Sequence, residues 1–228
     1  MNRPLQDAVA KLYEAFANEP KPKAIAGCPC CIENKQIKIL LDKSLREIAP
    51  DELYSYAFSL FLTVGDEADF KYFLPRIFDL LITDVDFYLD PEVALGKFRY
   101  VRLNDWQLEQ KLAIANLIES ILVNFVLSYQ VDTNNYLDLD LAPDTWLCAI
   151  ARLGVAIESL LTSIEEHPQV LVNLYEQNSE TLIDGKLFNG FWNDIPKVRQ
   201  TVIDWFQSDK IVNLMALQYA AIDKNSIN

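Results

Sequence analysis

The sequence predicts an all-α protein built of stacked antiparallel helix hairpins. Three observations carry that expectation. Glycine is scarce, 6 in 228 residues, whereas an all-β chain of this length spends more glycine on turns. Long segments repeat their apolar residues every three or four positions, which is the helical period. Convincing polar–apolar alternation is missing. Only "FRYVRL" (98–103) passes for a strand, and a helix end explains it equally well.

The elements follow in order. Leu5, Val9, Leu12, Tyr13 and Phe16 share one face of an N-terminal helix. Pro29 suits a first helical position, with Cys28 as the cap before it. Residues 51–64, "DELYSYAFSLFLTV", are apolar nearly all round and should end at Gly65 as the C′ residue. Asp66 can cap the next helix, and Pro75 reads as a kink or the start of a fresh helix carrying "PRIFDLLI". Asp90-Pro91-Glu92 is a start signal: Asp caps, Pro occupies the first position and Glu meets the positive helix end. Asn104 is expected to cap the longest helix, roughly 105–129. Further helices are expected near 143–153, 155–166, 168–182, 196–207 and 209–222, with a turn-rich aromatic break at 184–194. The whole chain, 1–228, reads as a single all-α domain. Its halves, 1–130 and 143–228, are joined by the acidic loop "QVDTNNYLDLDLA".

One echo crosses those halves. "IAPDELYSYA" and "LAPDTWLCAI" share Ala-Pro-Asp, and the pairs Pro50/Pro143 and Pro75/Pro168 are each 93 positions apart. Two helix-pair units of HEAT or armadillo length would give such an offset, which suits a superhelix of that kind. Proline is common at helix starts, so an irregular helical bundle explains the same spacing.

The formal charge is −13 and the isoelectric point about 4.5. An acidic surface repels phosphate backbones and anionic lipid, so the expectation is no nucleic acid and no membrane. The apolar run "LAIANLIESILVNFVL" is broken by Asn116, Glu119, Ser120 and Asn124, as in a buried helix. With no export signal in "MNRPLQDAVAKLYEAF", a cytoplasmic, reducing setting is expected.

Three of the four cysteines, Cys28, Cys30 and Cys31, crowd into "AIAGCPCCIENK". Cys28 and Cys31 form a C-P-x-C, the glutaredoxin pattern, and a cysteine at a helix N-terminus has its thiolate stabilised. A thioredoxin-like fold, however, needs a hydrophobic strand before the motif, and "NEPKPKAIAG" is not one. Zinc is the alternative cofactor, with Cys28, Cys30 and Cys31 as candidate ligands. Adjacent Cys30 and Cys31 are expected to point apart, so a closed site would draw on distant Cys148 or His167. The plainest reading is that one or two of the three are buried as small apolar residues. No cofactor is then needed, and protein purified without chelator would carry no stoichiometric zinc.

Other constellations are weaker. His167, the only histidine, precedes Pro168 and suits a cap on the preceding helix's carbonyls. Neither G-x-S-x-G nor a phosphate-cradling glycine loop is present. "DTNNYLDLD" offers calcium-type oxygens, but Leu137 stands where the loop needs glycine. In "DFKYFLPRIFDLL" Arg76 can pair with Asp69 or Asp79; alternatively Tyr72 and Arg76 line a groove for a protein partner.

Together the early C-P-x-C, the "YFLPRI" core and the following "DPEVALGKF" resemble a family of uncharacterised bacterial cytosolic proteins, over roughly residues 28–110. The resemblance implies a bacterial source, a soluble helical protein, no known cofactor and a thiol cluster that is structural or regulatory. Taken with the composition, the first functional expectation is a cytoplasmic protein-binding module whose acidic helical surface selects a basic partner. The alternative is a thiol- or zinc-dependent sensor or enzyme centred on the cysteines.

Overall fold

The computed structural model describes residues 3–84, 86–127 and 143–225. The acidic loop expected at 130–142, with its calcium-like oxygens, lies outside them. The protein is all-α, and among the described residues no strand occurs. Two isolated bridges, Gly27 with Val64 and Leu60 with Val64, are the only extended pairings there. No helix among the described residues is long and apolar enough to cross a membrane.

Two compact units divide the chain, Met1–Ile121 and Leu122–Asn228. The first contains α1 (Arg3–Ala15), α2 (Asn34–Asp42), α3 (Pro50–Ser59), α4 (Glu67–Thr83), α5 (Pro91–Gly96) and α6 (Leu108–Ile121). Helix α1 packs chiefly on α6 and also on α4, while α3, α4 and α5 pack on one another. Between them lies an aromatic core. Phe70 meets Phe98 and Phe61 edge-on at 5.4 Å, and Trp106 sits 5.7 Å from Phe16. Such edge-to-face pairs stabilise beyond their buried area. The Trp106 indole also donates to Glu67 Oε1 at 2.6 Å.

Asp66 caps α4 as expected, its carboxylate accepting the Ala68 and Asp69 N–H groups. Three other expectations are corrected. Helix α4 remains helical through Pro75, which is buried at its middle and starts no fresh helix. The missing donor there is outweighed by the packing of α4 on α1, α3 and α5. Helix α3 stops at Ser59, not at 64. Phe61 takes a left-handed φ of 64° and its N–H closes onto the Val64 carbonyl. Partners distant in sequence cause this: Gly65 N–H donates to the Ala26 carbonyl at 2.7 Å and Cys28 N–H to the Thr63 carbonyl at 2.9 Å. Finally, α6 begins at Leu108. Asn104 sits in a 3₁₀ turn before buried Trp106, and Gln110 accepts the Gln107 N–H at the helix start. "FRYVRL" begins as a 3₁₀ turn, Lys97–Tyr100, and Asp90 precedes α5 without a side-chain cap bond to that helix.

The second unit opens on a π-helical segment, Leu122–Leu127, packed on α7 (Pro143–Ala151). Helices α8 (Glu158–Glu165), α9 (Pro168–Leu182), α10 (Pro196–Phe206) and α11 (Asp209–Asn225) follow, close to their expected spans. Helix α9 packs on α7, α8 and α11. In the break before α10, Phe188 is exposed whereas Trp192 is fully buried. Its indole and the Asn178 amide both donate to the buried Asp144 carboxylate, at 3.3 and 3.4 Å.

Candidate functional site: a thiol cluster on a pinned turn

The segment Ile25–Ile32 is fixed at both ends by apolar burial, since Ile25 and Ile32 are 6% and 2% exposed. Between them the chain bridges to the turn that follows α3. Gly27 is required for that approach: a Cβ there would lie 3.1 Å from Ile32 Cγ2 and 3.2 Å from Val64 Cγ2. The partner turn is itself anchored. Lys97, 4% exposed, sends its ammonium into the interior and donates to the Phe58 and Leu60 carbonyls at 2.7 and 2.9 Å. Burial pushes the Lys97 pKa down to about 8, with Arg99 adding to the effect.

After the bridge, Cys28-Pro29-Cys30-Cys31 forms a tight turn. The Cys31 and Ile32 N–H groups both donate to the Cys28 carbonyl, at 2.9 and 3.2 Å. Helix α2 begins only at Asn34, capped by Glu33, so Pro29 is not a first helical residue and Cys28 is not a cap. The thiols are not buried as small apolar groups either: Cys30 is exposed, Cys28 and Cys31 half-buried.

The turn brings all three sulfurs together, contrary to the expectation that neighbouring Cys30 and Cys31 diverge. Their Sγ atoms lie within 4.8 Å of one another. Cys28 and Cys30 Sγ are 2.6 Å apart, and Cys30 and Cys31 Sγ 3.7 Å apart. Hydrogen bonding from Cys30 holds the Cys28 thiol below its ordinary value. The same bond, with a further one to Cys31, pushes Cys30 up to about 11. Cys28 is thereby the more readily ionised of the two, and the thiolate is the form that ligates a metal or acts as a nucleophile.

Thiolates bound to one tetrahedral zinc at about 2.3 Å stand about 3.8 Å apart. The Cys30–Cys31 separation matches that edge, and exposed Cys30 can rotate away from Cys28 to open the other. Three soft sulfur donors select Zn²⁺ or Cu⁺ over the hard Mg²⁺ and Ca²⁺. Among the described residues these three alone form such a group. Cys148 is fully buried in α7, and the His167 ring contacts the Ser163 carbonyl at 2.8 Å, as a cap on α8.

Tyr72 and Arg76 have different surroundings. Arg76 donates twice to the Ile48 carbonyl, at 2.9 and 2.7 Å, and once to Asp79 at 2.9 Å. Tyr13 donates to the same Asp79 oxygen. Tyr72 lines a groove of about 480 Å³ with Tyr13, Phe16, Leu45, Arg46 and Pro75. The basic residue at that groove is Arg46, stacked 3.6 Å over the Tyr13 ring. Sequence reasoning missed Arg46 and Lys97. Nothing in "LREI" marks the first. A lysine followed by phenylalanine in the apolar run "ALGKF" is the only signal for the second. Set against models of known protein families, curated proteins and solved structures, the chain matches none of them.

Proposed function

We propose that this protein binds a soft metal ion, Zn²⁺ or Cu⁺, through the thiolates of Cys28, Cys30 and Cys31, and that it works as a cytoplasmic thiol-dependent sensor. The single observation that carries this reading is the convergence of three sulfurs within 4.8 Å on a turn pinned to the rest of the first unit. Pinning matters because a preformed donor set loses little conformational freedom on binding. An ion there would stiffen the cysteine turn, which backbone bonds already join to the 60–65 turn, whose flank exposes Phe58 and Leu62. Metal analysis of chain purified without chelator, followed by Co²⁺ titration, tests the reading. One equivalent per chain and a thiolate-to-cobalt absorption band are expected. Both should vanish in Cys28→Ser and Cys31→Ser and persist in Cys148→Ser. Absence of stoichiometric binding in the unaltered chain would sink it.

A second reading, docking to a basic protein, draws on a local observation. Tyr54 and Phe58 stack with centroids 5.9 Å apart on the outer face of α3, and Leu62 just beyond it is also exposed, in a chain of net charge −13. Its test is salt-sensitive binding of a defined basic protein that Phe58→Asp abolishes.

A further inference from the structure

We propose that Cys28 and Cys30 are a hydroperoxide-sensitive pair, oxidised to a disulfide within the turn so that the metal-holding set is dismantled. The consequence for the metal rests on the reading above; the oxidation itself does not. Three observations point to this pair. Their sulfurs are the nearest two of the cluster, 2.6 Å apart against 3.7 Å for Cys30 and Cys31. A disulfide of about 2.05 Å needs them to close by only about half an ångström. The site is also open, since Cys30 is exposed and a small oxidant reaches it without an opening motion. Finally, the backbone is held from both sides, by the Cys28 N–H bond to the Thr63 carbonyl and the Cys31 N–H bond to the Cys28 carbonyl. Residues 28 and 30 therefore stay in one turn during the interval between the two chemical steps, and side-chain rotation alone brings the sulfurs together, where a free loop would separate them.

The steps balance with a hydroperoxide, ROOH, as oxidant. The thiolate sulfur of the pair attacks the terminal peroxide oxygen and the O–O bond breaks. A sulfenic acid forms, and the alkoxide leaves to take a proton from water. The second sulfur then attacks the sulfenic sulfur, the S–S bond forms, and hydroxide leaves with that thiol's proton as water. Two thiols lose two electrons in all, and ROOH becomes ROH and water. Cys31 remains as a single sulfur donor, too few to keep a zinc or copper(I) ion.

Tryptic cleavage after Lys23 and Lys35 releases residues 24–35, which carry all three cysteines. The test treats metal-free and metal-loaded full chain with equimolar hydrogen peroxide, quenches with iodoacetamide and reads intact mass and that peptide. With the iodoacetamide quench made in denaturant, so that buried Cys148 is also reached, alkylatable thiols should fall from four to two, with Cys31 and Cys148 still alkylated. Oxidation should survive Cys31→Ser, and Cys30→Ser should remove the disulfide. In the loaded chain, bound metal should be released in step with the mass change. A disulfide through Cys31, a link between two chains, or oxidation of one thiol to sulfinic acid alone would overturn the proposal. Because the metal-free arm is scored on mass alone, a failure of metal binding and a failure of pair oxidation give different results.

Discussion

Ala49-Pro50-Asp51 and Ala142-Pro143-Asp144 are the same three letters, and in each the proline opens a helix, yet the two aspartates have opposite fates. Asp51, in the first unit, is exposed on the first turn of α3. Asp144, in the second, is 5% exposed and accepts from Trp192 and Asn178. The second echoed pair diverges too, since Pro75 is interior to α4 whereas Pro168 opens α9. A shared start signal thus sets where a helix begins and leaves open what its first turn faces. Neighbours distant in sequence decide that. For Asp144 these are residues 34 and 48 positions away.

The largest expected effect breaks this pair apart. Asp144→Ala strips the acceptor from two buried donors and leaves a void, and should cost about 3 kcal/mol. Asp51→Ala removes only a favourable charge at an exposed helix start, about 0.5 kcal/mol. Urea unfolding followed by tryptophan fluorescence measures both, and three of the four tryptophans (146, 192 and 205) report on the second unit. Equal losses would mean that Asp144 is not the hub its hydrogen bonds make it.

Two glycines sharpen the contrast at smaller scale. Gly65 in the first unit has φ +65° and Gly154 in the second φ +80°, so alanine is strained at either. Around Gly154 nothing lies within 4 Å of an added Cβ, and Gly154→Ala should cost about 1 kcal/mol from the backbone alone. At Gly65 the Cβ would also meet Leu60 Cδ1 at 3.0 Å and Tyr56 Cε2 at 3.1 Å. Gly65→Ala should therefore cost about 2 kcal/mol. It would also loosen the turn that holds the cysteines, so thiol reactivity toward iodoacetamide should change in this variant and not in Gly154→Ala.

The same contrast explains what could be read in advance. Helices were legible wherever one face is apolar and the other polar: Leu5 and Leu12 of α1 are buried as their spacing requires, and the five helices from α7 to α11 fall near their expected spans. The end of α3 was not legible, because "FSLFLTV" is apolar nearly all round and the stop comes from hydrogen bonds to Ala26 and Cys28. The candidate site was legible as residues and illegible as geometry. Three cysteines in four positions marked the place. Whether their sulfurs meet depends on a turn closed by backbone bonds onto the Cys28 carbonyl and set by a bridge to Val64, neither of which leaves a periodic trace. Buried Lys97 belongs to the same class, since its partners are backbone carbonyls and backbone carbonyls carry no sequence signature.

The smallest effect compares one buried aspartate from each unit, Asp69 and Asp144. Burial raises both, and Asp144 is compensated by side-chain hydrogen bonds from Trp192, Asn178 and Asn189. Asp69 has less help: it accepts one long bond, 3.3 Å from the Asp66 N–H, and the neighbouring Asp66 charge opposes its ionisation. Its pKa rises from 3.8 to about 6, burial first and Asp66 second. The folded state therefore holds a proton that the unfolded state releases between those values, so stability falls as pH rises through 3.8 to 6 and the cost persists above. Asp69→Asn keeps an oxygen for the Asp66 N–H and removes the charge. It should gain on the order of 1–2 kcal/mol at pH 7, gain nothing near pH 3, and flatten the profile between. Asp144→Asn should gain less at pH 7, because an amide replaces a carboxylate that three side-chain donors already stabilise. If Asp144→Asn gains as much as Asp69→Asn, the donors around Asp144 contribute nothing specific to its charge, and the difference between the two units reduces to depth of burial.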